Sequence, residues 1–195
     1  MIRLYSDRRA RGIIARCLPQ IIAAERDFGV PRACMQAILY RELTAMDWLD
    51  PLADLCVALY WRLQPLWDRL RLPAKRDSST GYGQVFAASA IRAINYAAEK
   101  GIADSRKLCV PIPLDEKDPQ QIKLIWRRLR RDREFNIRAS CLCLLLAAEE
   151  VNGSTNFPAF TPQEMQLAFT RYNARTQTVT QYGRDAYRYY TAYFT

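Results

Sequence analysis

Apolar side chains recur along nearly the whole chain at spacings of three and four residues, the period of helices with one face turned inward. Ile13 to Phe28 reads as a first amphipathic helix, with Pro19 a point of interruption and Gly29 its stop. Pro31 to Met46 follows, with Pro31 in the first turn and an apolar stripe of Met35, Ile38, Leu39 and Met46. Pro51 to Leu72 forms one or two helices, with Pro65 marking a kink or break. Lys75 to Gly83 is polar and carries glycine, so it is a loop. Val85 to Lys100 is helical again and ends at Gly101, and the stretch from Asp104 to Lys117, with Pro111 and Pro113, is irregular. Asp118-Pro119-Gln120-Gln121 is a helix start, with an Asp cap and Pro at the first position, and that helix runs to about Arg131. Phe135 to Val151 is the most apolar helix and therefore central, closed by Asn152-Gly153. Thr161-Pro162-Gln163-Glu164 is a capping box that opens a helix to about Ala174, and Arg184 to Phe194 is a final Tyr-rich helix. The class is all-α.

Glu42 breaks this pattern. It lies four after Ile38, three after Leu39 and four before Met46, on the stripe where an apolar residue belongs. A carboxylate held against apolar surface loses hydration and its pKa rises. An acid still protonated near neutral pH can give its proton to a leaving group. The plain alternative is a salt-bridged or rim-exposed Glu.

Length and composition narrow the chemistry. With 195 residues, 50% of them hydrophobic, the chain can build one domain with a sizeable core. We divide it into an N-terminal helical extension (1–29) and a core (30–195), because the irregular middle shows no compositional shift that would mark a second domain. There are 29 Lys+Arg against 20 Asp+Glu, and the net charge of +9 favours anionic partners: nucleic acid, anionic lipid or an anionic wall polymer. The absence of His excludes Ser-His-Asp and Cys-His machinery and His-dependent zinc sites. The Cys residues at 17, 34, 56, 109, 141 and 143 form no C-x-x-C pair, and most read as small buried residues of a reduced protein, so neither a metal nor a cofactor is expected. The apolar run Cys141 to Ala148 is too short to span a membrane. The apolar stretch near the N-terminus is broken by Arg16, Pro19 and Gln20, so no signal peptide is read there. The expected site of synthesis is the cytoplasm, and a target outside the cell requires delivery by another route.

The loop Asp77-Ser-Ser-Thr-Gly81-Tyr82-Gly83-Gln84-Val85 supplies backbone that can approach a ligand, a donor–acceptor amide at Gln84 and a second carboxylate at Asp77. Two carboxylates flanking a bond are the minimum for glycoside hydrolysis. A plain turn or an anion site would look similar.

Four segments together resemble the lysozyme-like superfamily, specifically goose-type lysozymes and soluble lytic transglycosylases. Ile38-Leu-Tyr-Arg-Glu42-Leu-Thr44 is similar to the family's helix ending in a catalytic Glu and a small polar residue. Gly81-Tyr82-Gly83-Gln84 matches its G-L-M-Q-type cleft segment at Gly81 and Gln84. Asn136-Ile137 resembles the pair that opens its buried helix, and Tyr172-Asn173-Ala174 its late Y-N-A segment. All four occur in family order, over roughly residues 30 to 190. Leu43 stands where Ser is commonest, Gly83 where Met is usual, and Gly81 follows Glu42 by 39 positions (81 − 42), longer than the family pattern. Leu52 to Leu72 accounts for that length as an inserted helical region.

The resemblance implies cleavage of the β-1,4 bond between N-acetylmuramic acid and N-acetylglucosamine in peptidoglycan, a cell-wall-degrading and antibacterial activity. Glu42 would be the general acid. Asp77 would assist water, with Asp47 and Asp50 rivals that fit better as caps of the next helix. Thr44, Gly81, Tyr82, Gly83, Gln84, Tyr172 and Asn173 would hold the glycan. A lytic transglycosylase, which lets the sugar's own acetamido group assist, is the second reading. A third is a non-catalytic helical protein that binds nucleic acid or another polyanion. It would use the basic run Lys123 to Arg133, whose inner face is expected to be Ile125 and Leu129, with Leu124 as a third candidate, and whose default role is a solvated helix face. The Tyr-rich end either stacks sugars or packs the last helix. Without a signal peptide, a phage endolysin, a secreted effector with its own delivery partner and a cytoplasmic protein all remain open.

Overall fold

A computed structural model describes residues 3–71 and 75–194. The architecture is all-α, and among the described residues the only β features are two isolated bridges. Helix α1 spans Asp7–Phe28, α2 Arg32–Ala45, α3 Leu49–Arg69, α4 Ala87–Glu99, α5 Ser105–Leu108 and α6 Pro119–Arg131. Helix α7 spans Arg133–Asn152, α8 Pro162–Asn173 and α9 Gln181–Tyr189, which runs on into a π-helical turn over Tyr190–Phe194.

Two helices form the centre. Helix α7 is buried on nearly every side, as its apolar sequence requires. Helix α2 is its equal, because Cys34, Ala37, Tyr40 and Leu43 are buried along with the stripe of Met35, Ile38 and Leu39. Glu42 is thus a lone acid in a helix with almost no solvent face. Emptying one such position, as in Ile38→Ala, would cost ~2–5 kcal/mol. Helix α1 packs on α2 and α7, α9 on α2, α8 between α7 and α9, and α4 against α6 and α7.

Most helix ends follow the sequence signals. Gly29 and Gly153 close α1 and α7 in the left-handed conformation, with φ of 75° and 71°. The Asp118 side chain accepts from the backbone N–H of Gln120, and Thr161 and Glu164 complete their capping box. Helix α1 begins six residues before the expected Ile13, because the Ser6 hydroxyl caps it at Arg9, and it continues through Pro19. Its inner residues join the common core, so residues 7–28 pack as part of the domain.

Helix α3 starts at Leu49, not at Pro51. The Asp47 carboxylate accepts from the N–H of Leu49 at 2.8 Å, and Asp50 accepts in return from the N–H of Asp47 at 2.9 Å. Asp47 is therefore the capping acid and Asp50 its reciprocal partner. The helix bends at Leu63 (φ −107°, ψ 15°), two residues before Pro65, which removes a donor from the helical ladder. The expected end at Leu72 lies outside the described residues. Val57, Tyr60 and Trp61 face the body, and the Trp61 indole donates to the Arg76 carbonyl. Leu124 of α6 points outward, at 41% exposure, while Ile122, Ile125, Trp126 and Leu129 form that helix's inner face.

Candidate active site

Glu42 occupies the last turn of α2 and is only 9% exposed. Its partner is Tyr182, in the first turn of α9, whose hydroxyl donates to Glu42 Oε1 at 2.6 Å. The guanidinium of Arg41 lies 5.0 Å from the centre of the Tyr182 ring and faces Asp185 at 3.6 Å, which fixes the ring from its other side. Gly183 lets α9 come close, since a Cβ there would overlap Thr170 and the Gln166 carbonyl.

Burial opposes charge on Glu42. The Tyr182 hydrogen bond and the Arg41 charge favour the carboxylate, and Asp50 opposes it. Burial wins and pushes the pKa up to about 7. Near neutral pH this side chain can be a proton donor and, once spent, a proton acceptor.

The acid opens onto a groove. Its central stretch, about 240 Å³, is bordered by Glu42, Met46, Asp50, Gln84, Tyr172 and Asn173, with Phe86, Ser89 and Cys143 completing the wall. A second stretch of about 220 Å³ shares Met46, Asp50 and Gln84 with the first and extends along Tyr82 to Arg130. A third of about 260 Å³ shares Ser89, Cys143, Tyr172 and Asn173 and extends to Arg92, Arg171 and Arg175. The three adjoin through these shared residues, with Glu42 bordering the middle one, Arg130 and Asp54 one outer stretch, and Arg92, Arg171, Arg175 and Glu150 the other.

The wall opposite α2 is a clamped turn. Thr80 and Val85 exchange backbone hydrogen bonds around residues 81–84, with Gly81 (φ 72°) and Gln84 (φ 47°) in the left-handed region. Buried Asn136 holds the turn from below. Its Oδ1 accepts from the Gly83 N–H and its Nδ2 donates to the Thr80 carbonyl, both at 3.0 Å. The Tyr172 hydroxyl donates to the Gly83 carbonyl at 2.6 Å, and Asp54 of α3 accepts from Ser78 and Thr80. A Cβ on Gly81 would overlap Asn136, and one on Gly83 would overlap Ser140.

Glu42, Gln84, Tyr172 and Asn173 therefore meet in the central stretch, and Gly81 and Tyr82 line the adjoining one. Three residues lie elsewhere. Asp77 does not border the groove; its two carboxylate oxygens accept from the N–H groups of Ala87 and Ala88 and cap α4. The carboxyl of Asp77 sits above its ordinary pKa, burial outweighing those bonds. Thr44 is buried, its hydroxyl turned back to the carbonyl of Tyr40 at 2.7 Å. Gly83 is buried under Ser140 and Tyr172 and serves the turn. Tyr172 bonds the loop, and Tyr182 takes the contact with the acid.

Tyr182 is the site residue that the sequence patterns did not single out, and Asp50 figures there only as a rival to Asp77. Asp50 reads as the cap of α3, but it lies in that helix's first turn, where it accepts from the N–H of Asp47, and it also borders two stretches of the groove. For Tyr182, the available signal is the four-residue spacing to Ala186, which puts both on the inner face of α9. Of the remaining tyrosines, Tyr189 and Tyr193 pack edge-on against Tyr40 of α2, so the Tyr-rich end buttresses the helix that carries Glu42. Cys143 borders the groove as a thiol, since burial pushes its pKa up to about 12. Among the described residues no group of three or more His, Cys, Asp or Glu gathers as a metal site, and no helix is long and apolar enough to cross a membrane. Comparison of the chain with protein-family models, curated proteins and solved structures returns no match, so the lysozyme-like resemblance stands on this chain's own residues.

Proposed function

We propose that this chain is a peptidoglycan glycosidase that cleaves the β-1,4 bond between N-acetylmuramic acid and N-acetylglucosamine, with Glu42 as the general acid. The observation that carries the reading is a single buried carboxyl group, its pKa near 7, in the middle stretch of a groove open toward both ends. A polymer can lie along such a channel and present one internal linkage to the acid. Glu42 gives its proton to the glycosidic oxygen as the bond to the anomeric carbon breaks, and Tyr182 then stabilises the carboxylate that forms. Gln84, Tyr172 and Asn173 border the same stretch and are placed to contact the sugars, with Tyr82 beyond them.

The fate of the sugar cation divides two versions of this reaction. Hydrolysis needs a water activated beside the anomeric carbon, and the second carboxylate bordering the central stretch is Asp50, since Asp77 is engaged at α4. Transglycosylation needs no second carboxylate. Glu42, once deprotonated, takes the proton of the sugar's own 6-hydroxyl as that oxygen closes on the anomeric carbon, giving a 1,6-anhydro end. The engagement of Asp77 favours this second version.

Purified peptidoglycan treated with wild type and with Glu42→Gln, followed by mass spectrometry of the soluble products, tests the proposal. Fragments from wild type alone support it, and reducing or 1,6-anhydro ends separate the two versions. Equal digestion by the Gln variant would remove Glu42 from the mechanism. No digestion by either would leave polyanion binding as the better reading.

A further inference from the structure

Helix α3 carries a row of large apolar side chains that no described residue covers. Leu52, Leu55, Leu59, Leu63, Leu66 and Leu70 are each 40–56% exposed, and Trp48 at the head of the row is 58% exposed. Single exposed leucines are ordinary, but a continuous row along a helix is not. The opposite side of the same helix is already used, because Val57, Tyr60 and Trp61 are buried and Asp54 ties it to Ser78 and Thr80.

The row has an unusual internal symmetry. From Trp48 through Leu52, Leu55, Leu59, Leu63 and Leu66 to Leu70, the successive spacings are 4, 3, 4, 4, 3 and 4. The series is the same from either end, with Leu59 at its centre. If two copies of the helix run antiparallel with Leu59 on the two-fold axis, Leu55 meets Leu63 at the centre, and the pairs Leu52 with Leu66 and Trp48 with Leu70 lie beyond the bend at Leu63. Each residue of the row then faces an apolar partner, while Leu49, 49% exposed, lies outside the row. The row presents on the order of 600 Å² per copy, so a pair buries on the order of 1,200 Å², at the lower bound of specific interfaces. A partner with unrelated chemistry would not require this symmetry.

We propose that the outer face of α3 is a dimer interface, in which a second copy of this chain packs antiparallel across Leu59. This inference is independent of what the groove cleaves. The pairing is isologous and closed, so it stops at two copies.

The test is the solution mass of the full chain by light scattering or sedimentation at micromolar concentration, with a double variant, Leu59→Glu and Leu66→Glu, alongside. The expected result is twice the 22.6 kDa chain mass for wild type and the single mass for the variant, with unchanged helical circular dichroism. The dissociation constant should rise by at least about 100-fold. Mild oxidation gives the register. Native Cys56 and its counterpart would sit six residues of helix apart, about 9 Å along the axis, beyond disulfide reach. Leu59→Cys in a Cys56→Ser background should cross-link, and native Cys56 should not cross-link to its counterpart. If the double variant loses its helical spectrum, this cross-link pattern decides alone. Wild type at the single-chain mass would overturn the proposal, as would a dimer untouched in a folded double variant. A monomer that binds anionic phospholipid vesicles through these leucines would overturn it in favour of a membrane surface.

Discussion

Replacing Glu42 by Gln should change how stability depends on pH, whatever the substrate. In the fold the Glu42 pKa is pushed up to about 7, against 4.5 for a free side chain. The folded state therefore holds this proton more tightly than the unfolded chain. Its contribution is fully present below pH 4.5 and is lost as pH rises through 7. A difference of about 2.5 units, at ~1.36 kcal/mol per unit, makes the ionised side chain cost the fold about 3 kcal/mol at pH 9. Gln has nearly the same shape, its carbonyl can accept the Tyr182 hydroxyl, and it does not ionise. Any fixed packing cost of the substitution is the same at every pH, and all other titrating groups are shared. The difference in melting temperature, variant minus wild type, should thus grow between pH 4 and pH 9 by on the order of 6–10 °C for a chain of this size. Most of the growth should fall between pH 4.5 and 7. Thermal melts followed by circular dichroism across that range measure it. Curves for the two proteins that run parallel would mean that Glu42 titrates normally, and the argument for a neutral-pH acid would fail.

The remaining predictions separate catalytic from positioning roles. Tyr182→Phe removes a hydrogen bond that favours the charged form of Glu42, so the basic limb of the pH–rate profile should move up by about one unit; an unmoved limb would show that the bond does not tune the acid. Asp77→Ala strips the cap of α4 and should lower stability by ~1–2 kcal/mol, seen as a melting shift of a few degrees. Its cleavage rate per folded molecule should stay within about threefold, whereas a hundredfold loss at unchanged stability would return Asp77 to the chemistry. Asn136→Ala leaves the Gly83 N–H and Thr80 carbonyl without their buried partner and should cost ~2–4 kcal/mol; limited proteolysis should then cut near residues 80–84 faster than in wild type.

The parts of this fold that sequence reveals are those governed by local chemistry. Asp118-Pro119, Thr161 with Glu164, Gly29 and Gly153 set helix ends through bonds within a few residues, and each does so in the structure. The anomaly of Glu42 was legible for the same reason, since its neighbours at three and four residues define its surroundings. Contacts across long separations were not legible. Tyr182 and Glu42 are 140 positions apart, and no spacing rule links them. Tyr172 and Tyr182 are both aromatic, both near the end of the chain and both close to the acid, and only the packing of α8 and α9 shows which hydroxyl reaches Glu42 and which reaches Gly83. Asp77 illustrates a different difficulty. A carboxylate in a loop before a helix suits both a water-activating base and a helix cap, and the direction of its oxygens decides between them. Helix α2 also looked one-sided by its apolar period, although it is enclosed all round, because Tyr40 and Cys34 can be buried without belonging to an obvious stripe.

Charge along the groove bears on what can lie in it. A channel built to grip a polyanion along its length would place cations at its centre, where field lines concentrate. Here the central stretch holds two acids, Glu42 and Asp50, while Arg130 lies toward one end and Arg92, Arg171 and Arg175 toward the other. Nucleic acid, with a phosphate at every step, would have to set a negative charge against Asp50. A polymer that is neutral where it crosses the acids and anionic elsewhere meets no such repulsion. Peptidoglycan has that distribution, since its glycosidic linkages are uncharged apart from the muramyl side arm and its peptide stems carry carboxylates. The same arrangement keeps the Glu42 pKa raised: Asp50 adds to burial, and the opposing charge of Arg41 does not reverse the shift. Moving one cation to the centre, for example Ser89→Lys, should strengthen binding of polyanions while pulling the Glu42 pKa down. If this chain is a glycosidase, that variant loses turnover at neutral pH as it gains affinity; if it is a polyanion-binding protein, only the gain is seen.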